Sequence, residues 1–510
     1  MAMRASLSRR SFLAAAGGIA VASTFNIGHA RAASGGDRPH ILFLMADQFR
    51  GDCLGADGHP VVKTPNLDAI AHDGIRFSRA YSCTPTCTPA RAALLTGLGP
   101  WRNGMLGYGK VAERYPVEMP RVMAEAGYYA MGIGKMHFHP QRGGHGFHDM
   151  ILDESSRAET VDFRSDYLAW FMSEAPTLNY RATGIGWNDC TAKPYALPER
   201  LHPTTWMGNT AVKFLEGYDK AEPFFLKVSF ARPHSPYDPP ERFWRMYEDA
   251  PIPAAVRSDW SQKYAPRSDD TDAIWHGDMG EKAVRTARQG YYGNVSFVDE
   301  QISRIMDTLD KRGWLDSTLI VFTADHGDMT GDHNLWRKSY AYEPSARIPM
   351  LMRCPKGMGG AAGQVCAKPT ELRDILPTFM EATGAPGADK LDGRSLLALA
   401  RDNAAPWREY IDLEHDICYD KVNHWNALTD GKRKYIFHAY DGSEQFFDLE
   451  TDPTETRDLA SASERAEEVK QWRERLIAHL AERGEPFVKD GQLAKRPGPH
   501  LHSPNFPGGA

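Results

Sequence analysis

The sequence predicts an α/β protein: a large mixed, mostly parallel sheet sandwiched by helices, followed by a smaller antiparallel sheet with one packing helix. Three observations carry this. Continuous apolar runs of strand length alternate with helical patterns up to about residue 400. Residues of reactive type, Asp47, Lys135, His234 and Asp325, stand just after those runs, where chemistry gathers in open α/β sheets. Beyond residue 400 the texture changes to short runs separated by Asp-Gly turns.

In chain order, Ser8-Arg9-Arg10-Ser11-Phe12-Leu13 precedes an apolar, small-residue run to about Phe25 and then Ala30-Arg31-Ala32. This is the pattern of a twin-arginine signal peptide over 1–32 with a small-residue cleavage site. The apolar run is too short to span a bilayer, and no later run is long enough. The chain therefore reads as periplasmic or secreted, not as an integral membrane protein. Buried strands are predicted at His40 to Ala46, Tyr128 to Ile133, Phe224 to Phe230, Thr318 to Thr323 and Ile348 to Met352. Thr64 caps a predicted helix with Pro65 at its first position, Leu67, Ile70 and Ala71 on one face, and Gly74 at its end. Residues 139–205 and 240–280 read as long irregular segments, suited to lids or pocket walls, with Trp170, Trp187, Trp206 and Trp244 available to stack on a ring.

In the last part, Trp425 to Thr429, Lys434 to His438 and Gln445 to Leu449 read as a three-stranded meander. Ser463 to Arg483 places Val469, Trp472, Leu476, Ile477 and Leu480 on one helical face. The tail from Lys495 to Ala510, heavy in Pro and Gly, reads as disordered or loosely docked. The predicted division is a signal at 1–32, a catalytic domain at 38–400, a C-terminal subdomain at 401–486 and a tail at 487–510.

The formal net charge is −6, and losing residues 1–32 takes away four arginines and no acid, leaving −10. Such a balance excludes a sequence-level case for nucleic-acid binding and requires a local basic cluster for any anionic substrate. Seven cysteines, an odd number, do not form a disulfide framework.

Cys87-Thr88-Pro89-Ala90-Arg91 is the most informative stretch. Pro89 suits a first helical position and Gly97 an end, which puts Cys87 at a helix N-terminus, a place that favours a nucleophile or an oxyanion. Cys83, four residues earlier, leaves open a metal clip or a disulfide with Cys87. Asp47-Gln48 and Asp325-His326-Gly327 follow two predicted strands, so their oxygens can converge on one hard cation such as Mg²⁺ or Ca²⁺, although each pair alone also suits a turn or cap. Lys135 and His137 in Gly134-Lys135-Met136-His137, together with Arg232-Pro233-His234-Ser235-Pro236 and Leu335-Trp336-Arg337-Lys338, add cationic and protonatable groups. Such groups around one nucleophile suit an anion that develops charge on a leaving oxygen.

Cys-x-Pro-x-Arg with the trailing Leu95-Thr96-Gly97 resembles the signature of the type I sulfatases of the alkaline phosphatase superfamily. Val62 to Asp68, Tyr342-Glu343 before Arg347-Ile348-Pro349, and Phe447-Asp448-Leu449 with Asp452-Pro453 extend the resemblance from about residue 38 to 460. The resemblance implies that Cys87 is oxidised to formylglycine, whose hydrated aldehyde is the nucleophile. It implies one divalent metal at Asp47, Gln48, Asp325 and His326, with the converted Cys87 as a further ligand. Many relatives carry Asp where Gln48 stands and Asn where His326 stands; a nitrogen ligand admits Mn²⁺, with Mg²⁺, beside Ca²⁺. It further implies that Arg91 holds the nucleophile and the metal carboxylates, Lys135 binds sulfate oxygens, His137 stands beside the nucleophile, and His234 with Lys338 contacts the ester oxygen. The implied substrate is a small-molecule or saccharide sulfate ester, and the implied maturation partners are a formylglycine-generating enzyme and the twin-arginine translocase. The alternatives are a phosphonate monoester hydrolase or phosphodiesterase of the same superfamily, in which neutral hydroxyls replace Lys135 and His137, and an exported, catalytically silent sugar- or metal-binding protein. His72, His145, His333 and His438 read as surface or core residues.

Overall fold

The computed structural model describes residues 38–155, 160, 162–268 and 274–508. The twin-arginine segment lies outside them. The strands are β1 (His40–Asp47), β2 (Ile75–Phe77), β3 (Ala80–Tyr81), β4 (Tyr129–Gly134), β5 (Asp149–Leu152), β6 (Phe224–Pro233), β7 (Thr318–Ala324), β8 (Met350–Arg353), β9 (Gln364–Cys366) and β10 (Thr370–Glu371), followed by a second set from β11 (Ile411–His415) onward. The main sheet runs β5-β4-β6-β1-β7-β8-β2-β9. Only β8 is antiparallel to its neighbours; the other pairings are parallel.

Every residue of β6 and β7 is buried, as is all of β1 after His40. Helices cover both faces, which is why these strands read as unbroken apolar runs rather than alternating ones. The strands β2, β5 and β9 carry too few apolar residues to register, and β5 falls inside the segment 139–205 predicted to be irregular. That segment also holds a helix, Asp166–Glu174, capped by the Ser165 hydroxyl accepting the Leu168 N–H.

Helix α1 (Pro65–Asp73) has its predicted bounds and buried face, but Thr64 does not cap it through its side chain. The Thr64 hydroxyl lies 3.0 Å from Asp68 Oδ1 and accepts the Gly55 N–H. The free N–H groups of Asn66 and Leu67 donate instead to Asp299, on the long helix Glu281–Lys311. A carboxylate from a neighbouring helix satisfies donors that the local sequence leaves open.

The C-terminal sheet has four strands, not three: β11 joins β12 (Trp425–Thr429), β13 (Arg433–His438) and β14 (Glu444–Asp448) in antiparallel order. Val469, Trp472, Leu476 and Leu480 of the helix Ala466–Leu480 are buried in one cluster with Leu428, Tyr435, Phe437 and Phe446, whereas Ile477, predicted on the same face, is only half-buried. The tail is not loose. Arg496 is buried and paired with Asp416 at 2.8 Å, and Ser503 is buried against the body. Among the described residues no helix is long and apolar enough to cross a membrane.

Candidate active site

The carboxyl ends of four adjacent parallel strands, β4, β6, β1 and β7, converge on one centre. Asp47 is the last residue of β1, while Lys135, His234 and Asp325 directly follow β4, β6 and β7. Cys87 opens helix α2 (Cys87–Thr96), whose ten residues are all buried. The helix starts two residues ahead of Pro89, which still falls in the first turn, where a missing N–H leaves no bond unmade. Gly97 ends it in the left-handed region, φ 66°, donating to Ala93 O.

Ligand-type atoms of Asp47, Cys87, Asp325 and His326 all lie within 4.8 Å of one another. His326 Nε2 is 3.2 Å from Cys87 Sγ, and its Nδ1 is 2.9 Å from Gly327 O. A carbonyl only accepts, so Nδ1 carries the hydrogen and the Nε2 lone pair faces the centre. Gln48 adopts φ 66° and donates its Nε2–H to Asp328, which turns Oε1 inward. Its backbone N–H meets Asp325 Oδ1 at 3.0 Å. Arg91 donates to Asp325 Oδ2 (2.8 Å), Lys135 O (2.7 Å) and Ser229 Oγ (3.2 Å), and lies 3.6 Å from Asp47. Its hydrogen bonds thus go to the frame around the nucleophile, not to the thiol.

The Lys338 ammonium reaches three acceptors: Gln48 Oε1 at 2.9 Å, His234 Nε2 at 2.9 Å and Cys87 Sγ at 3.0 Å. The ammonium of Lys135 pairs with Asp47 and sits 4.7 Å from the Trp187 ring centroid. Trp187 in turn stacks on His234, centroids 4.1 Å apart at 21°. His137 has φ 63°, and its backbone N–H donates to Glu154 Oε1 at 2.9 Å, as does that of Met136.

Charge is strongly coupled here. Burial opposes ionisation of Asp47, yet Lys135, His234, Arg91 and Lys338 outweigh it and hold the carboxyl well below its usual range. Burial likewise pushes the Cys87 thiol up, but Lys338, Lys135 and His326 bring it down to about 6. Burial and then Lys338 keep His234 well below the usual imidazole range, so it is neutral.

The structure brings all the sequence-derived site residues to this end of the sheet. The disulfide left open between Cys83 and Cys87 is not formed: both are free thiols. Sequence reasoning missed Asp328, which fixes Gln48 and also accepts from Tyr237, Thr330 and Arg337. It also missed Ser229 under Arg91, and Glu154. Of the tryptophans offered as stacking surfaces, Trp187 is at the site. Trp206 is buried and packs with Trp170 around Tyr167, away from it.

A sulfatase family profile matches residues 39–385, and a profile for the N-sulphoglucosamine sulphohydrolase C-terminal region matches 331–482. This chain belongs to the sulfatase family. This sulfatase is 37% identical to an arylsulfatase of Clostridium perfringens over 90% of its own length and 98% of that protein's. It is 32% identical to a choline-sulfatase of Rhizobium meliloti, covering 83% and 82% of the two chains. A phosphonate monoester hydrolase of Agrobacterium radiobacter has a similar structure, TM-score 0.74 at 26% identity, covering 90% of this chain and 100% of that one.

The site of this sulfatase suits a divalent cation. Asp47 Oδ1 is buried without a hydrogen-bond partner among the described residues. Burial disfavours protonated His326, yet Asp325 and Cys87 raise its pKa, so the pocket draws in positive charge. Two carboxylates, an amide oxygen and one imidazole nitrogen, each with its outward atoms held by second partners, are a donor set of the kind such cations take.

Proposed function

We propose that this sulfuric ester hydrolase cleaves sulfate monoesters of a phenol or a sugar alcohol, with residue 87 converted to formylglycine and one divalent cation, Ca²⁺ ahead of Mn²⁺ or Mg²⁺, held by Asp47, Gln48, Asp325 and His326. The carrying observation is the placement of Cys87: at a helix N-terminus, within 3.0 Å of Lys338 and 3.2 Å of His326, above the strand-end carboxylates. Formylglycine at residue 87 would supply a hydrated aldehyde as the nucleophile, and a cation held by Asp47, Gln48, Asp325 and His326 would offset the charge of nucleophile and sulfate.

The protein's own groups then divide the proton transfers. His234 Nδ1 lies 2.9 Å from Ser235 O, so it carries the hydrogen there and Nε2 accepts from Lys338. Of the two groups that the resemblance places at the ester oxygen, the ammonium is thus the one with protons to give. Lys338 is the donor toward the leaving oxygen, and His234 aims it. His137, braced by Glu154 through its backbone N–H, is the base assigned to the remaining hydroxyl. Lys135 and Arg91 balance the anionic group being transferred. Residues 38–400 form the catalytic body in this reading, with 401–486 as its support.

Peptide mass spectrometry of protein made together with a formylglycine-generating enzyme should find residue 87 changed from CH2SH to CHO, and Cys87→Ala should lack turnover while remaining folded. An unmodified thiol in fully active protein would sink the mechanism. A second reading, phosphonate or phosphodiester hydrolysis, draws on the shared fold noted above. Lys135 and His137 favour sulfate, so kcat/KM for an aryl sulfate should exceed that for the matching phosphodiester, and the reverse order would support the second reading.

A further inference from the structure

Residues 496–506 bind the body at both ends. The buried Arg496 guanidinium donates to Asp416 (2.8 Å) and Asn426 (3.0 Å). Leu501 O accepts the N–H groups of Leu106 (3.1 Å) and Gly107 (3.3 Å), and the Ser503 N–H donates to Gly104 O (2.9 Å). The Ser503 hydroxyl and the Asn505 amide both donate to Trp101 O, at 2.6 and 3.0 Å. Gly104 has φ 91°, and a Cβ there would lie 2.3 Å from the Phe506 Cα, so the two backbones touch.

The loop clamped in this way, 104–109, reaches the reaction centre twice. The Gly109 N–H donates to Thr88 Oγ1 at 3.1 Å, one residue along α2 from Cys87. The Tyr108 ring meets His137 edge to face, centroids 6.0 Å apart at 68°, and is 38% exposed. The same loop is gripped from its other side: Leu106 O accepts the Asp416 N–H (3.1 Å) and Ile417 O accepts the Tyr108 N–H (2.6 Å). Arg496 thus anchors, through Asp416, the segment that sets Tyr108.

We propose that the strap 496–506 is a positioning element of the active site, and that Tyr108, which it holds against His137, contacts the alcohol part of the sulfate ester. The substrate part of this rests on the sulfatase reading above. An aromatic ring exposed beside a site residue offers a face to a phenol or sugar ring. Because Tyr108 touches the alcohol and not sulfur, loosening the strap acts on KM more than on kcat.

Formylglycine-loaded enzyme and 4-nitrophenyl sulfate test this with three forms: a chain ending at Pro499, which keeps Arg496; Tyr108→Ala at full length; and the two combined. Each single change should lower kcat/KM roughly tenfold, mainly through KM, and the combination should be no worse than either. A shortened chain with wild-type KM, or losses that multiply, overturns the proposal. Should the shortened chain not fold, full-length Ser503→Ala/Phe506→Ala should raise KM in the same direction, and an unchanged KM counts equally against it. Hydrogen exchange at the Leu106, Gly107 and Gly109 amides reads the clamp without turnover. Faster exchange on shortening is expected, and unchanged protection refutes the strap. Absence of turnover of aryl and of sugar sulfates alike by the wild type would defeat the sulfatase reading instead, while the exchange result still decides the strap.

Discussion

Replacing Lys338 by Met removes the one ammonium that joins nucleophile, amide ligand and imidazole. Its three contacts are all at 2.9 to 3.0 Å, and a positioned acid of this kind contributes about 10²–10⁴-fold, or about 3–5 kcal/mol of barrier. That full loss should appear with alkyl or sugar sulfates, whose alkoxides need a proton. With 4-nitrophenyl sulfate, which leaves unaided, the loss should stay under about tenfold. His234→Ala keeps the ammonium and removes only one of its three acceptors, so its loss on poor leaving groups should be nearer tenfold. The assay is kcat/KM for both variants across a series of sulfate esters graded by the acidity of the departing alcohol, with circular dichroism and Tm as the check on folding. Equal losses on good and poor leaving groups for Lys338→Met would refute the donor assignment. A larger leaving-group effect for His234→Ala than for Lys338→Met would return the proton to the histidine.

Burial raises the Asp299 carboxyl to about 6. A carboxyl raised on folding binds a proton that the unfolded chain has released, so its stabilisation is complete below the unfolded value and lost as pH rises through about 6. Urea unfolding should therefore show the wild type losing about 2 kcal/mol relative to Asp299→Asn between about pH 4 and pH 7, and parallel pH dependences would contradict this. Dialysis against a chelator should abolish turnover and added Ca²⁺ or Mn²⁺ restore it, with Asp47→Asn binding the ion more weakly by calorimetry; full activity after chelation would end the metal assignment. Glu154→Gln leaves the Met136 and His137 N–H groups a neutral acceptor, so kcat should fall several-fold, on the order of 1 kcal/mol, with little change in KM. An unaltered kcat would mean that His137 needs no such brace.

The strands that build the site were legible because each is an almost wholly buried apolar run with a reactive residue at its exit: Thr318 to Thr323 before Asp325, and Phe224 to Phe230 shortly before His234. Their neighbours β2 and β9, three residues each, lack the length for any period to emerge. The positions proposed for the metal were readable through the resemblance, since Asp47-Gln48 alone suits a turn equally well. Asp328 was not, although it stands two residues from His326. What makes it matter is that Gln48, from a different strand end, has to be turned by a carboxylate, and that pairing exists only in three dimensions. The fourth strand of the C-terminal sheet escaped for a similar reason, because Ile411–His415 mixes Asp, Glu and His into a run whose partner fixes its conformation. The tail misled through composition: Pro and Gly suggested looseness, while single residues, Arg496 and Ser503, supply the anchors.

Cys87 is 2% exposed, and the helix it begins is buried along its whole length. A sulfate group needs only a narrow opening to reach such a position, but another enzyme would have to bring a groove of its own around several residues on either side. The conversion proposed for Cys87 would therefore have to come before Thr86 to Thr96 winds and docks, while the chain is still an open thread. A body that closed over an unconverted thiol would have to open again to give a second enzyme that access.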